Sequence, residues 1–199
     1  SGGNLIYKFE ENQSKKISKI VKKYNKQSFI LQPFMLFDKG YLHNGARVSA
    51  DIRLIYLQDN IVQTYVRIAK KGGFLCNEHQ GGSLEYLNQC DIPRIVMTHA
   101  KNIVQKLKHN TSLFALDFVV SNNGNPYLLE GNTGPGLDWN PLIVKNIQKS
   151  KEFMRMIALK LVQLSNIAKH VRVKRVHVRE VLPTLHIFEP KPIAPFLVV

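Results

Sequence analysis

The sequence predicts an α+β domain, an antiparallel sheet flanked by helices, and three observations predict it. Asp51 to Leu57 and Ile61 to Ala69 read as paired strands across the polar turn Gln58-Asp59-Asn60. Leu113 to Ser121 and Asn125 to Asn132 read as a second hairpin, across Asn123-Gly124. Between and around them, apolar residues recur at helical spacing in three separate stretches.

Taken in order, Asn4 to Phe9 reads as a short strand after Gly2-Gly3. Asn12 or Ser14 can cap a helix whose apolar positions are Ile17, Ile20, Val21 and Tyr24. Phe29 to Leu31 reads as a buried strand ending at Pro33, and Phe37 to Val48, with its glycines and polar residues, as a loop. Lys70 to Gly82 is a glycine-bearing loop, and Pro93 suits the first turn of a helix reaching about His109. Beyond the loop Thr133 to Asp138, a long amphipathic helix covers Lys149 to Lys169. From Val171 to Val181 valines alternate with basic residues, as in a strand with one charged face, and four prolines from Pro183 to Pro195 interrupt any regular structure beyond it.

A chain of 199 residues is long enough for a hydrophobic core without disulfides. No stretch approaches the roughly 18 apolar residues of a membrane span, so a membrane partner is not expected. With no secretory signal in view, Cys76 and Cys90 read as reduced thiols of a cytoplasmic protein. The formal charge of +14 fits phosphate or carboxylate ligands. It would also fit nucleic acid, but no groove-reading motif accompanies it, and most of the lysines lie in helical patterns where charge marks the solvated face.

The second hairpin is the most informative segment. Asn123-Gly124 favours a type I′ turn with positive φ at both residues, which pairs Asn122 with Asn125 and, counting back, Asp117 with Glu130. The period of two then places Asn132 on the same face as Glu130. Two opposed carboxylates repel, and acids in so apolar a hairpin need a partner. A bound cation removes the cost, and two carboxylates with a carboxamide oxygen are hard ligands suited to magnesium. These three residues are the expected metal site; two acids on a solvated face are the bland alternative.

In the first hairpin a three-residue loop at 58–60 pairs Asp51 with Arg67 and Arg53 with Tyr65. Two arginines with only one acid form a surplus positive fork suited to phosphate or carboxylate, unless Asp51–Arg67 is a plain surface ion pair. The following Asn77 to Gly82 adds amide and imidazole groups beside two glycines. Cys76, His79 and Cys90 lack the second close cysteine or histidine pair that zinc needs.

In order, Gly2-Gly3, Ile30-Leu31-Gln32-Pro33-Phe34-Met35, Asp51-Ile52-Arg53, Arg67, Asn77 to Gly82, Asp117 and Glu130-Gly131-Asn132 with Pro135-Gly136 resemble the ATP-grasp fold. Within it they resemble the RimK-like amino-acid and peptide ligases related to ribosomal-protein glutamate ligase, over about Ser1 to Lys169. The resemblance implies a remnant of the smaller lobe at 1–36 and the larger lobe with metal and substrate site at 37–170; residues 171–199, past its reach, read as a C-terminal extension. That extension is an added edge strand, an oligomer contact or a tail, which leaves a homo-oligomer open.

The resemblance also implies roles. Gln32, Pro33, Phe34 and Met35 meet adenine, Leu129 lines the base pocket, Asp38 contacts ribose, and Asn77 joins the nucleotide loop. Asp117, Glu130 and Asn132 hold magnesium, with manganese as the alternative ion. Arg67 neutralises the transferred phosphoryl group, Arg53 grips a carboxylate, and His79, Gly81, Gly82 and Gly136 contact substrate. The implied reaction joins an amino-acid or peptide carboxylate to an amine acceptor, at the expense of ATP, through an acyl phosphate. The family's phosphate-binding lysines lie upstream of the glycine-rich loop in which this chain begins, so the chain is expected to be a C-terminal catalytic portion with the N-terminal portion absent. Pro33 also stands where relatives commonly carry glutamate. A non-catalytic nucleotide-binding module is the alternative, and a basic nucleic-acid-binding protein a more remote one.

Overall fold

The computed structural model describes residues 5–107, 113–135, 142–175 and 196–198, with backbone alone for 167–175 and 196–198. At its centre is a five-stranded antiparallel sheet. Its strands are β4 (Ala50–Leu57), β5 (Asn60–Ile68), β6 (Ser83–Tyr86), β7 (Leu113–Val120) and β8 (Pro126–Asn132), in the spatial order β6-β5-β4-β7-β8.

Alternation gives this sheet two different faces. Ile52, Leu54 and Tyr56 of β4, Val66 of β5, and Phe114, Leu116, Phe118 and Val120 of β7 point one way and form the main core. Helix α2 (Arg94–Leu107) covers it through Val96, Ala100 and Val104, one helical turn apart. Pro93 sits at the start of α2, where its carbonyl accepts the first helical hydrogen bonds from Val96 and Met97. The intervening residues of β4, β5 and β7 point the other way. There Ile55, Tyr65, Tyr86 and Ala115 pack on Phe153 of helix α3 (Val144–Arg175), while Val119, Phe37 and Cys76 form a second apolar cluster with Phe34 and Phe74. Between these two clusters the same face is charged.

Both hairpins reach the expected central pairs by a different route. In the first, the turn is two residues long, Gln58 taking φ 58°, and a bulge between Ile55 and Tyr56 restores the pairs Asp51–Arg67 and Arg53–Tyr65. In the second, Ser121 rather than Asn122 lies opposite Asn125, and Gly124 (φ 81°) takes the left-handed conformation while Asn123 does not. This three-residue connection shifts the register by one, and a bulge at Leu129 shifts it back, so Asp117 does oppose Glu130.

Elsewhere the expectations are corrected. Residues 6–10 form no strand. Helix α1 (Ser14–Lys23) begins one residue after Gln13, with no side-chain cap from Asn12 or Ser14. The strand β1 (Ile30–Gln32) is exposed rather than buried, Ile30 at 44% and Leu31 at 61%, and pairs in parallel with β9 (Phe196–Val198). The expected loop 37–48 contains a hairpin, β2 (Tyr41–His43) and β3 (Ala46–Val48), turned at Asn44 and Gly45, both at positive φ. Residues 171–175 continue α3 as helix instead of opening a strand. Among the described residues no helix is long and apolar enough to cross a membrane.

Candidate active site

The charged face is organised as rows across the sheet. Register places Tyr86, Tyr65, Arg53, Asp117 and Glu130 side by side on five consecutive strands, and Leu84, Arg67, Asp51 and Val119 in the next row. The pairing of β4 with β7 sets Arg53 directly opposite Asp117. Its guanidinium is bidentate there, Nε donating to Oδ1 at 2.7 Å and Nη2 to Oδ2 at 2.6 Å. Arg67 Nη2 donates to the same Oδ2 at 2.9 Å, and Arg67 also grips Asp51 through Nε (2.7 Å) and Nη2 (3.0 Å). Arg53 further donates to the Tyr65 hydroxyl at 3.2 Å and lies 3.7 Å from Glu130 Oε1.

These groups are deeply buried: Asp117 is 1% exposed, and Asp51, Arg53 and Arg67 4% each. Burial penalises every charge, so the row survives only because each is paired. Burial opposes the charge on both arginines, yet the bonds and field of Asp117 and Asp51 outweigh it and raise both pKa values above the ordinary. On Asp51 the balance is reversed: burial outweighs Arg67 and pushes the carboxyl up to about 6. Glu130 is also raised, first by burial and then by the charge and hydrogen bond of Asp117.

The surplus positive fork expected of Arg53 and Arg67 is therefore corrected. Three carboxylates, Asp51, Asp117 and Glu130, face the two guanidiniums, leaving the excess charge negative. The opposed pair Asp117–Glu130 is offset in part by these arginines, the office assigned on sequence grounds to a metal alone.

A cavity of ≈ 150 Å³ opens beside this row. It draws together Gln32, Pro33, Phe34 and Met35, then Arg67, Asn77, Asp117, Leu129 and Glu130. In a regular strand Leu129 and Glu130 would face opposite sides; the bulge at Leu129 lets both line one cavity. Sequence reasoning missed Ile6, Phe37, Asp51, Phe74, Leu75, Cys76 and Val119 of the same lining. Burial pushes the Cys76 thiol up to about 12, the behaviour of a wall residue rather than a nucleophile or ligand.

Other expected residues lie elsewhere. Arg53 does not line the cavity; it stands behind Asp117. Asp38 lines a separate hollow, its carboxylate accepting from Asn122 Nδ2 at 2.8 Å. His79 sits in a 3-10 turn, Glu78–Gln80, away from the cavity lining. Gly81 ends that turn at φ 85°, and at Gly82 a side chain would sit 2.3 Å from the Cys76 carbonyl oxygen, so both glycines serve the backbone path. Gly136 lies outside the described residues.

The donor set suits a hard divalent ion. An ionised carboxylate offers about four lone-pair sites, and the guanidiniums engage Asp117 Oδ1 once and Oδ2 twice. Glu130 is half-buried at the cavity edge, and Asn132, opposite Ala115 in the row beyond, currently turns its Oδ1 to the Gly134 amide at 3.0 Å. Among the described residues no cluster of three or more His, Cys, Asp or Glu is placed for a metal, so the carboxamide is needed as third donor.

A family model for the RimK-like ATP-grasp domain matches residues 5–157, most of the chain. The chain belongs to the RimK-like ATP-grasp family. Its ATP-grasp fold is thus the one expected from the ordered motifs. A probable alpha-L-glutamate ligase of Pseudomonas savastanoi pv. phaseolicola is 32% identical over 90 residues, 45% of this chain and 28% of that protein. Another, from Vibrio parahaemolyticus, is 28% identical over 113 residues, 57% of this chain and 33% of that protein. The matched segment thus spans about a third or less of these relatives' length. Among solved structures, a D-alanine–D-alanine ligase from Bacillus anthracis complexed with ATP is 14% identical at a TM-score of 0.39, over 60% of this chain and 40% of that one. The ATP-grasp ligase PsnB, complexed with a precursor variant, Mg and ADP, is 16% identical at a TM-score of 0.32, over 45% and 26%.

Proposed function

We propose that this RimK-like ATP-grasp chain carries the nucleotide and metal end of an ATP- and magnesium-dependent carboxylate–amine ligase. The observation that supports it most is the shared cavity: segments 32–35, 67, 77, 117 and 129–130, distant in sequence, line one hollow with an apolar wall and an acidic floor. Its small volume suits a planar ring between Phe34, Met35 and Leu129, with the phosphates leading out towards Glu130.

Asp117, Glu130 and Asn132 would hold magnesium, which when bound would neutralise charge between phosphate oxygens. Arg67 is fixed by Asp51 and Asp117 at the cavity, where its charge favours the phosphoryl group in transit. Arg53 is assigned a positioning part: it clamps Asp117 and braces Glu130, in place of gripping substrate. In the reaction a substrate carboxylate oxygen attacks the γ-phosphorus and ADP leaves. An amine then attacks the acyl carbon; phosphate leaves and the amine releases a proton.

An amino-acid or peptide carboxylate and an amine acceptor are the proposed substrates, in keeping with the names of the glutamate-ligase relatives. We assign residues 1–36 to part of the smaller lobe, 37–170 to the larger lobe with the site, and 171–199 to an extension, and place the protein in the cytoplasm. The test is amine-dependent phosphate release from ATP with amino acids and acidic peptides as candidates. Release that stops in Arg67→Met supports the ligase. Magnesium-dependent ATP binding without release in any combination would identify a nucleotide-binding module instead.

A further inference from the structure

Next to the nucleotide cavity, behind a shared wall of Phe34, Phe37 and Phe74, lies a second and larger hollow of ≈ 690 Å³. Its charged lining is the reverse of the first. Lys8, Arg47, Lys70 and Lys71 meet there with a single acid, Asp38. Among the described residues none of the four cations forms an ion pair with a carboxylate, while Lys8 Nζ rests 4.5 Å from the centre of the Phe34 ring.

The hollow is also braced. Asn122, at the turn between β7 and β8, holds the 36–39 loop by three contacts. Its Nδ2 donates to Asp38, its Oδ1 accepts the Lys39 amide, and its own amide donates to the Leu36 carbonyl, each at 2.8 Å. Gly40 lets that loop cross β7 closely, since a side chain there would sit 1.6 Å from the Val120 carbonyl oxygen. Gly72, also in the lining beside Lys71, takes φ 77° with open space around it.

We infer that this hollow is a second, metal-independent anion site that takes an oligophosphate chain. Its size is that of a whole ligand site, too large for one phosphate ion. Its cations are three lysines, which bind phosphate as compact point charges, and Arg47, whose guanidinium fork can engage two phosphate oxygens at once. The surplus positive charge does here what magnesium is proposed to do next door, where Asp51, Asp117 and Glu130 repel a free anion. The inference stands whether or not the ligase reading holds.

The experiment titrates tripolyphosphate into the protein by calorimetry in buffer with chelator and no divalent ion. One site per chain is expected, weakened roughly tenfold or more by the double change Lys70→Gln and Lys71→Gln. The same charge loss at Lys15→Gln and Lys16→Gln, on α1, leaves it unchanged. Glu130→Ala retains tripolyphosphate binding while losing magnesium-dependent ATP binding, which separates this site from the proposed nucleotide site. Equal weakening by the two lysine pairs would reduce the effect to net charge and overturn the assignment. Citrate binding as tightly as tripolyphosphate, or no binding at all, overturns it too.

Discussion

Replacing Arg53 by methionine removes the bidentate partner of the most buried acid in the sheet. Asp117, 1% exposed, then keeps a single guanidinium bond, from Arg67 Nη2, and Tyr65 loses the donor at 3.2 Å. Breaking one side of a buried pair typically costs about 3–5 kcal/mol, because the remaining charge has no solvent to turn to. For a domain of this size that lowers Tm by roughly 6–20 °C. Urea unfolding of Arg53→Met gives the loss directly, and the double variant Arg53→Met with Asp117→Leu should recover much of it, since the orphaned charge goes as well. A loss below about 1 kcal/mol, the range of an exposed ion pair, refutes the account of Asp117 as a buried acid held by arginine. A double variant worse than the sum of its parts does the same.

The same geometry sets three further outcomes. Asp51 titrates near 6 when folded against about 3.9 unfolded, so its share of stability is full below about pH 4 and is lost as pH rises through 6, about 3 kcal/mol in all. Urea unfolding from pH 4 to 7 should show that decline, and Asp51→Asn should flatten it; an unchanged slope in the variant contradicts it. Cys90 is exposed and Cys76 buried, so a thiol-exchange reagent at pH 8 should modify one equivalent at once and the second only on unfolding. Gly40→Ala forces a methyl group against the Val120 carbonyl and should cost about 1–3 kcal/mol or displace the loop at 36–39; wild-type stability in that variant would argue against the close crossing.

The local periodicities carried much of the sheet, and the expected pairs Asp51–Arg67, Arg53–Tyr65 and Asp117–Glu130 are all present. They are present because turn length and bulge err in opposite senses: a turn one residue from expectation is corrected by a bulge of one residue. Strand alternation shows which face a residue takes but not where a bulge falls, and the bulge at Leu129 is what admits that residue to the cavity. The hairpin at 41–48 has the same Asn-Gly signal as the one at 123–124, but three-residue strands on either side are too short to show a period. The four-residue strand β6 is hidden for the same reason.

Charge is where a single hairpin misleads most. Within the first hairpin alone, Arg53 and Arg67 outnumber their acid. The pairing of β4 with β7 joins residues 64 apart in sequence and sets Asp117 between both arginines. No repeat within a single strand reports such a contact. The overall charge count similarly points to a general preference for anions, while the fold separates an acidic cavity from a basic hollow on opposite sides of three phenylalanines.

Asp117, Glu130 and Asn132 as a magnesium site beside a nucleotide cavity remain the central claim, and calorimetric titration of ATP tests it most directly. Protein carrying Lys70→Gln and Lys71→Gln, which weakens the oligophosphate site, should bind ATP with magnesium and far more weakly without it, and adding Glu130→Ala should abolish that dependence. Equal binding by the two proteins, with and without the ion, would contradict the claim.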